Sequence, residues 1–387
     1  MPEKSRILDD VYNTCIFQAV HADRTPTVDS IKNYLRLFGL RIDDQELTSR
    51  LVKLQEAGLV KISELAFTLD FEMGKPGPRR IPSREHLTWI PSPELAYDDL
   101  ASLEMQRVRE NNSILDEKRG QFLQIIRVIC GGENNQVLDD VLNSVEFKTW
   151  YDAAQTNTAI YRLYTRHDQI HAMWATRYAL EIVDILAGIA DLKKHFSILR
   201  YGNVSDVKCA VMLASLWHDC GNAVARENHH IHSCILARDR TEQILKERYA
   251  ESHMRSRILG EVLRCMYLHE KEAGECDNLE PAIIKVADGA DCSIDRVGEN
   301  GEKPIRELFE KGQALHIKGK IGIKDVKISK YRSNVRIMAV LDPNFMENSV
   351  LHPLQDILYR EKILGIGNFG ALFQIWFERE GTKKRLK

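Results

Sequence analysis

Apolar positions recur every three to four residues through most of the chain between residues 151 and 298, a spacing that predicts successive amphipathic helices. The period is clear in RHDQIHAMWATRYALEIVDIL and vanishes in CAVMLASLW, Cys209 to Trp217, which is apolar on nearly every side. A helix of that kind belongs inside a core. It ends on His218 and Asp219, so two polar side chains enter an apolar setting and require compensation. Breaks between helices fall at KKHFSILRYGNVSD, GNAVAREN and KEAGECDN.

The flanks have a different texture. In residues 1–97, ILDDVYNTCIFQAV, TPTVDSIKNYLRLFG and DDQELTSRLVKLQEAGLV read as three short helices with acidic or Thr-Pro starts and Gly ends. KISELAFTLDF and HLTWI read as two strands around the loop GKPGPRRIPS. Residues 98–150 are charged and periodic, which predicts connecting helices, a stalk. After Pro304, HIKGKIGIKDVKIS and VRIMAVLD alternate as strands do, HPLQDILYREKILG is helical, and ALFQIWFERE is a last strand. GIGNFG at 365–370 lacks the spacing of a dinucleotide loop and reads as a turn. The expected fold is mainly α: a helical domain over 151–303, a module over 1–97, connecting helices over 98–150, and a small α+β module over 304–387 for dimerisation or ligand sensing.

Composition narrows the function classes. At 387 residues the chain has room for two or three domains, and 44% hydrophobic with 28% charged residues excludes disorder. A formal charge of -2 and a pI near 6.7 exclude bulk attraction to nucleic acid or to an anionic membrane. The first residues lack a signal-peptide layout, and no apolar stretch approaches the roughly 20 residues of a membrane span, so a cytoplasmic location is expected. Eight cysteines without a C-x-x-C pair read as buried thiols.

Histidine placement points to chemistry: nine of the thirteen lie between His167 and His269. His171, His218, Asp219, the cluster His229, His230 and His232, His269 and Asp288 each sit at or near the end of an apolar helical segment, where packed helices would converge them. Nitrogen and carboxylate oxygen suit a divalent ion of the Mn, Mg, Fe, Co, Ni or Zn type, and coordination would compensate the buried His218 and Asp219.

The order His, then His-Asp, then a later Asp resembles the HD-domain superfamily of metal-dependent phosphohydrolases. RLYTRHDQIHA, LWHDCGN, ENHHIHS and KVADGADCSIDR are similar to successive blocks of archaeal-type HD proteins, over roughly Trp150 to Arg296. The resemblance implies one or two divalent ions and a metal-activated water that attacks a phosphoester, most simply of a nucleotide. It places His171, His218, Asp219 and Asp288 on the first metal, and Asp219 with His229 or His230 and His269 on a second. It assigns catalysis to Asp219, His229, His230 and Arg296, with His167 and Asp291 in supporting or phosphate-contact positions. One departure stands out: many HD families have Lys near the substrate phosphate where this chain has Asn222, and Arg226 or Arg296 would have to substitute.

Residues 1–97 resemble a winged helix module. Its third helix offers only Arg50 and Lys53, with Lys75, Arg79 and Arg80 in the wing, while Asp43, Asp44 and Glu46 crowd the end where DNA-reading residues usually lie. Protein interaction or homo-oligomerisation is therefore favoured over DNA. Two further readings of the whole chain remain: a transcription regulator or interaction scaffold whose HD site is structural or sensing, and an HD-type di-iron oxygenase.

Overall fold

The structure, a computed structural model, describes residues 115–160, 162–298, 314–343 and 353–386, and before them Ile16, 31–32, 42–56, 61–62, 87–88 and 110–111. In the N-terminal region a helix, α1, spans Asp44–Glu56, and two short antiparallel strands pair Lys61–Ile62 (β1) with Leu87–Thr88 (β2). The helix sits where DDQELTSRLVKLQE predicts it. The rest of the expected winged helix, including Lys75, Arg79 and Arg80, lies outside the described residues.

From Leu115 onward the chain is mainly helical. Helices α2 (Leu115–Cys130), α3 (Gly132–Leu142) and α4 (Val145–Gln155) lead into α5 (Gln169–Ala187), α6 (Val204–Trp217), α7 (His229–Arg248), α8 (Ser252–Leu268) and α9 (Leu279–Ala290). The segment expected to be a stalk instead shares the core: Ile126 of α2, Val137 and Leu138 of α3, and Phe147 and Tyr151 of α4 join the apolar cluster built around α5 and α6. Phe122 packs its ring, tilted, against Trp174, and Tyr151 donates its hydroxyl to the Leu216 carbonyl at 2.7 Å.

Helix α6 occupies the centre. Its residues from Asp206 to Trp217 are buried apart from Lys208, as a helix apolar on nearly every side requires. Asn203 and Asp206 close its start with a reciprocal capping box, so the helix begins at a fixed point and delivers His218 and Asp219 at its far end. Asp168 does the same for α5, accepting from the Ile170 and His171 backbone nitrogens and thereby fixing where His171 projects.

The C-terminal region forms a four-stranded sheet in the order β3 (Ile323–Tyr331), β4 (Asn334–Leu341), β5 (Phe373–Arg379) and β6 (Thr382–Arg385). β3 and β4 form a hairpin, β4 and β5 run parallel across a helical crossover, and β5 and β6 form a second hairpin. Strand β6 extends the sheet beyond the last strand that the sequence pattern predicted. Inward residues Val335, Ile337, Ala339, Ile375 and Phe377 belong to the same apolar cluster as the helices. The pattern over HIKGKI misleads: it alternates like a strand, yet Ala314–Ile321 is a helix, α10. Ile317 and Ile321 are four apart and both buried, so helical spacing satisfies the same residues. The crossover Pro353–Ile363 is helical, and Leu364–Leu372 forms tight turns with Gly367 at φ 59°, in accord with the turn expected for GIGNFG.

Among the described residues no helix is long and apolar enough to cross a membrane.

Candidate metal centre

Helix α6 ends at His218, and the chain turns through Asp219 and Cys220–Ala223 before entering α7. That turn packs directly on the start of α7. The Gly221 backbone donates to Ser233 Oγ at 2.7 Å, and Ser233 Oγ donates to the His218 carbonyl at 2.6 Å. A Cβ at Gly221 would run into the His229 carbonyl oxygen and the Ser233 backbone nitrogen, so only glycine permits this approach. The contact holds His218, Asp219 and His229 in one place although the first and last are eleven positions apart.

Four imidazoles meet there. His171 Nε2 lies 3.1 Å from His218 Nε2, and His229 Nε2 lies 3.1 Å from His269 Nε2. Their outer nitrogens are all occupied: His171 Nδ1 by Asp291 Oδ2 at 2.7 Å, and His218, His229 and His269 Nδ1 by the carbonyls of Ser215, Arg226 and Met266 at 2.8, 3.0 and 2.6 Å. An acceptor at Nδ1 assigns the proton to that nitrogen and leaves the Nε2 lone pair facing inward. In the neutral imidazoles the four inward nitrogens are thus acceptors crowded against one another.

Asp219 divides them into two sets. Its Oδ2 lies 3.2 Å from His171 Nε2 and 3.5 Å from His218 Nε2; its Oδ1 lies 3.2 Å from His229 Nε2 and 3.8 Å from His269 Nε2. Asp288 Oδ1 joins the first set, 3.3 Å from His171 Nε2, and Glu270 Oε1 joins the second, 3.1 Å from His229 Nε2. All are buried or nearly so, and Asp219 Oδ2 accepts no well-formed hydrogen bond among the described residues. Apart from Asn222 on Asp219 Oδ1 and Lys362 on Asp288, it is protons or a cation that must compensate this cluster, and groups of three ligand-type atoms fall within 4.8 Å of one another: His171, His218 and Asp288; His218, Asp219 and His269; His229, His269 and Glu270. The nitrogen and oxygen donor set fits a divalent ion.

Protonation follows the same geometry. Burial opposes charge on His171 and His229, yet neighbouring carboxylates prevail: Asp219, Asp288 and Asp291 raise the first well above its ordinary value, and Asp219 and Glu270 raise the second to about 9. Burial lowers His167 and His269 to about 3. Burial works against the Asp219 and Asp288 carboxylates, but His218 and His167 around Asp219, and Lys362 and His171 around Asp288, hold them well below the usual range.

No protein-family profile matches the chain, and no solved structure matches it. The chain is similar to uncharacterized protein MJ1020 of Methanocaldococcus jannaschii, with 30% identity over 166 residues, which are 43% of this chain and 62% of that relative.

The structure brings His171, His218, Asp219, His229, His269 and Asp288 together. His230 follows His229 on α7 and points elsewhere, its ring 5.3 Å from that of Tyr267, so it stands outside the acceptor groups. His167 Nε2 is 3.9 Å from Asp219 Oδ2, at the margin. Arg296 Nη1 binds Asp291 Oδ2 at 3.2 Å and stands 3.9 Å from Asp288 Oδ1. Asn222 is buried and spends its amide on Asp219, donating to the backbone carbonyl at 3.0 Å and to Oδ1 at 3.1 Å. Three members carry weak or no sequence signals. Glu270 directly follows His269, and that adjacency could have flagged it. Lys362 and Lys320 come from the C-terminal region and had none: Lys362 Nζ lies 2.7 Å from Asp288 Oδ2, and Lys320 reaches the cavity from α10.

That cavity, about 320 Å³, opens beside Asp219. Asp219, Glu270, Asp288 and Asp291 line it together with the cations Arg226, Arg296, Lys320 and Lys362.

Proposed function

We propose that this protein is a metal-dependent phosphohydrolase of the HD type, acting on a phosphoester, most simply that of a nucleotide. One observation carries the reading: an acceptor cluster split in two by a single carboxylate shares its cavity with four cations. The order of motif blocks that resembles HD domains supports it. His171, His218, Asp219 Oδ2 and Asp288 would hold one divalent ion, and Asp219 Oδ1, His229, His269 and Glu270 a second. Such ions supply positive charge against a phosphoryl oxygen and acidify water toward neutrality.

The chain's own residues do the rest. Outer bonds from Asp291 and three backbone carbonyls fix each imidazole's tautomer and direction, so the Nε2 lone pairs are set before any ion arrives. Asn222 pins Asp219 so that its two oxygens face different histidines. Arg226 and Arg296 place positive charge at the cavity wall, where a transferred phosphoryl group and its leaving oxygen carry negative charge.

The decisive experiment measures bound metal by elemental analysis together with phosphate release from a panel of nucleotides and cyclic nucleotides. Stoichiometric metal and turnover are expected. Asp219→Ala should remove ions from both halves and cut turnover about a thousandfold, the several kcal/mol that metal assistance supplies. Metal-free protein that shows no turnover after reconstitution with Mn, Mg, Co, Fe or Ni would sink the proposal.

A further inference from the structure

The cations of the cavity wall are not equivalent. Lys362 is matched by Asp288 at 2.7 Å, and Arg226 stands 3.6 Å from Glu270. Lys320 is different. It is 5% exposed, and among the described residues its ammonium donates only to Thr165 Oγ1, at 3.4 Å. Arg296, 6% exposed, directs its Nε at the same hydroxyl oxygen at 3.4 Å. Two buried cations therefore converge on one neutral atom at the wall of a cavity.

A buried ammonium with a single long bond to a neutral partner is a standing cost, and folded chains keep such groups where a ligand will compensate them. Burial accordingly pulls the Lys320 pKa below its ordinary value, with Asp291 the largest opposing influence. Asn222, three residues after Asp219, commits its amide to Asp219 and is not free to meet an anion.

We propose that Lys320, Arg296 and Thr165 form a subsite for one tetrahedral oxyanion, a phosphoryl group of the substrate, and that α10 thereby completes the site. Three segments distant in sequence build it: the loop before α5, the turn after α9, and α10 of the C-terminal region. Naming the anion as a phosphoryl group rests on the phosphohydrolase reading; the convergence of cations does not.

The test uses full-length protein, inorganic phosphate as probe, and the variants Lys320→Met and Lys320→Gln. Phosphate is expected to raise the wild-type melting temperature and to bind about tenfold or more weakly to either variant, the usual weight of a charged hydrogen bond. Metal content should stay at the wild-type level. Without phosphate, Lys320→Met should melt a few degrees higher than wild type, because an uncompensated buried charge has been replaced by an apolar chain of similar shape. A lysine kept only for structure predicts the reverse, so a less stable or unfolded Lys320→Met overturns the proposal, as does phosphate affinity within twofold of wild type in either variant. An absence of any phosphate response in the wild type overturns it as well. Phosphate binding that depends on Lys320 in a protein with no turnover would defeat the hydrolase reading and leave the subsite standing. Turnover with an unchanged phosphate affinity in the variants would do the opposite.

Discussion

On the acceptor side five groups are braced from behind: Asp291 on His171, the carbonyls of Ser215, Arg226 and Met266 on the other three imidazoles, and Asn222 on Asp219. On the cationic side the charges come from separate segments, and among the described residues Lys320 donates only to a neutral hydroxyl. The acceptor side has the preorganisation that a metal demands, where ligand directions must be fixed before binding. On the cationic side Lys362, Arg226 and Arg296 have carboxylate neighbours, and Lys320 carries charge left to be met by something that arrives. The contrast separates two requirements, holding an ion and receiving an anion, and assigns them to different parts of the chain.

Asp291 joins the two sides at a single oxygen, because its Oδ2 accepts from both His171 Nδ1 at 2.7 Å and Arg296 Nη1 at 3.2 Å. Asp291→Asn should therefore injure both, unequally. Loss of the carboxylate behind a ligating imidazole is expected to weaken metal binding about 10-fold to 100-fold, while phosphate affinity changes less because Arg296 keeps its charge. A competition titration with a chromogenic chelator measures the first and a phosphate melting series the second. Equal losses would dissolve the distinction between the two sides.

The acceptor side should also be the more sensitive to pH. His229, raised to about 9, and His171, raised well above 6.5, bind protons more tightly in the folded than in the unfolded chain. Their contribution to stability is complete below pH 6.5 and is lost as pH rises, for His229 through about 9. His167 and His269, depressed to about 3, act in the other direction, so stability falls as pH drops from 6.5 toward 3. Asp219 and Asp288, depressed well below 3.8, add to the acid-side loss below that value. Chelator-treated protein should thus resist urea best near pH 6.5. If the proposal holds, a divalent ion takes the place of the proton on His229, and metal affinity should climb toward pH 9, by about tenfold per unit for each proton released. A flat affinity profile between pH 6.5 and 9 would mean that these imidazoles do not ligate.

The same two sides differ in how far the sequence discloses them. The acceptors announce themselves because a buried helix cannot carry His218 and Asp219 without compensation, and because helix ends are where converging ligands must sit. Glu270 was within reach for the same reason. Lys320 and Lys362 were not, since a lysine in an alternating HIKGKI or in a helical REKIL looks like any solvated residue until the chain folds. The helix at Ala314–Ile321 shows why: Ile317 and Ile321 fit both a period of two and a step of four, and only their burial decides between them. Main-chain texture was similarly uneven. The helical order from 151 to 298 could be read from apolar spacing, whereas β6, Thr382–Arg385, is exposed along its whole length and carries no apolar signal.

Asn222 offers the finest division, within the acceptor side itself. Its amide bonds Asp219 Oδ1, the oxygen that faces His229 and His269, and leaves untouched Oδ2, which faces His171 and His218. Removing the amide in Asn222→Ala frees the carboxylate to rotate and leaves the Asp219 carbonyl without this donor. The expected cost in fold stability is about 1–2 kcal/mol, the worth of a buried hydrogen bond to a charged group. The expected cost in metal affinity is about tenfold, at the low end for an outer-shell partner, and it should fall on one half of the site. In a stepwise titration monitored by calorimetry, the step owed to His229, His269 and Glu270 should weaken while the step owed to His171, His218 and Asp288 stays in place. A uniform shift of both steps would mean that Asp219 acts as one rigid bridge, with its two oxygens unable to be tuned apart.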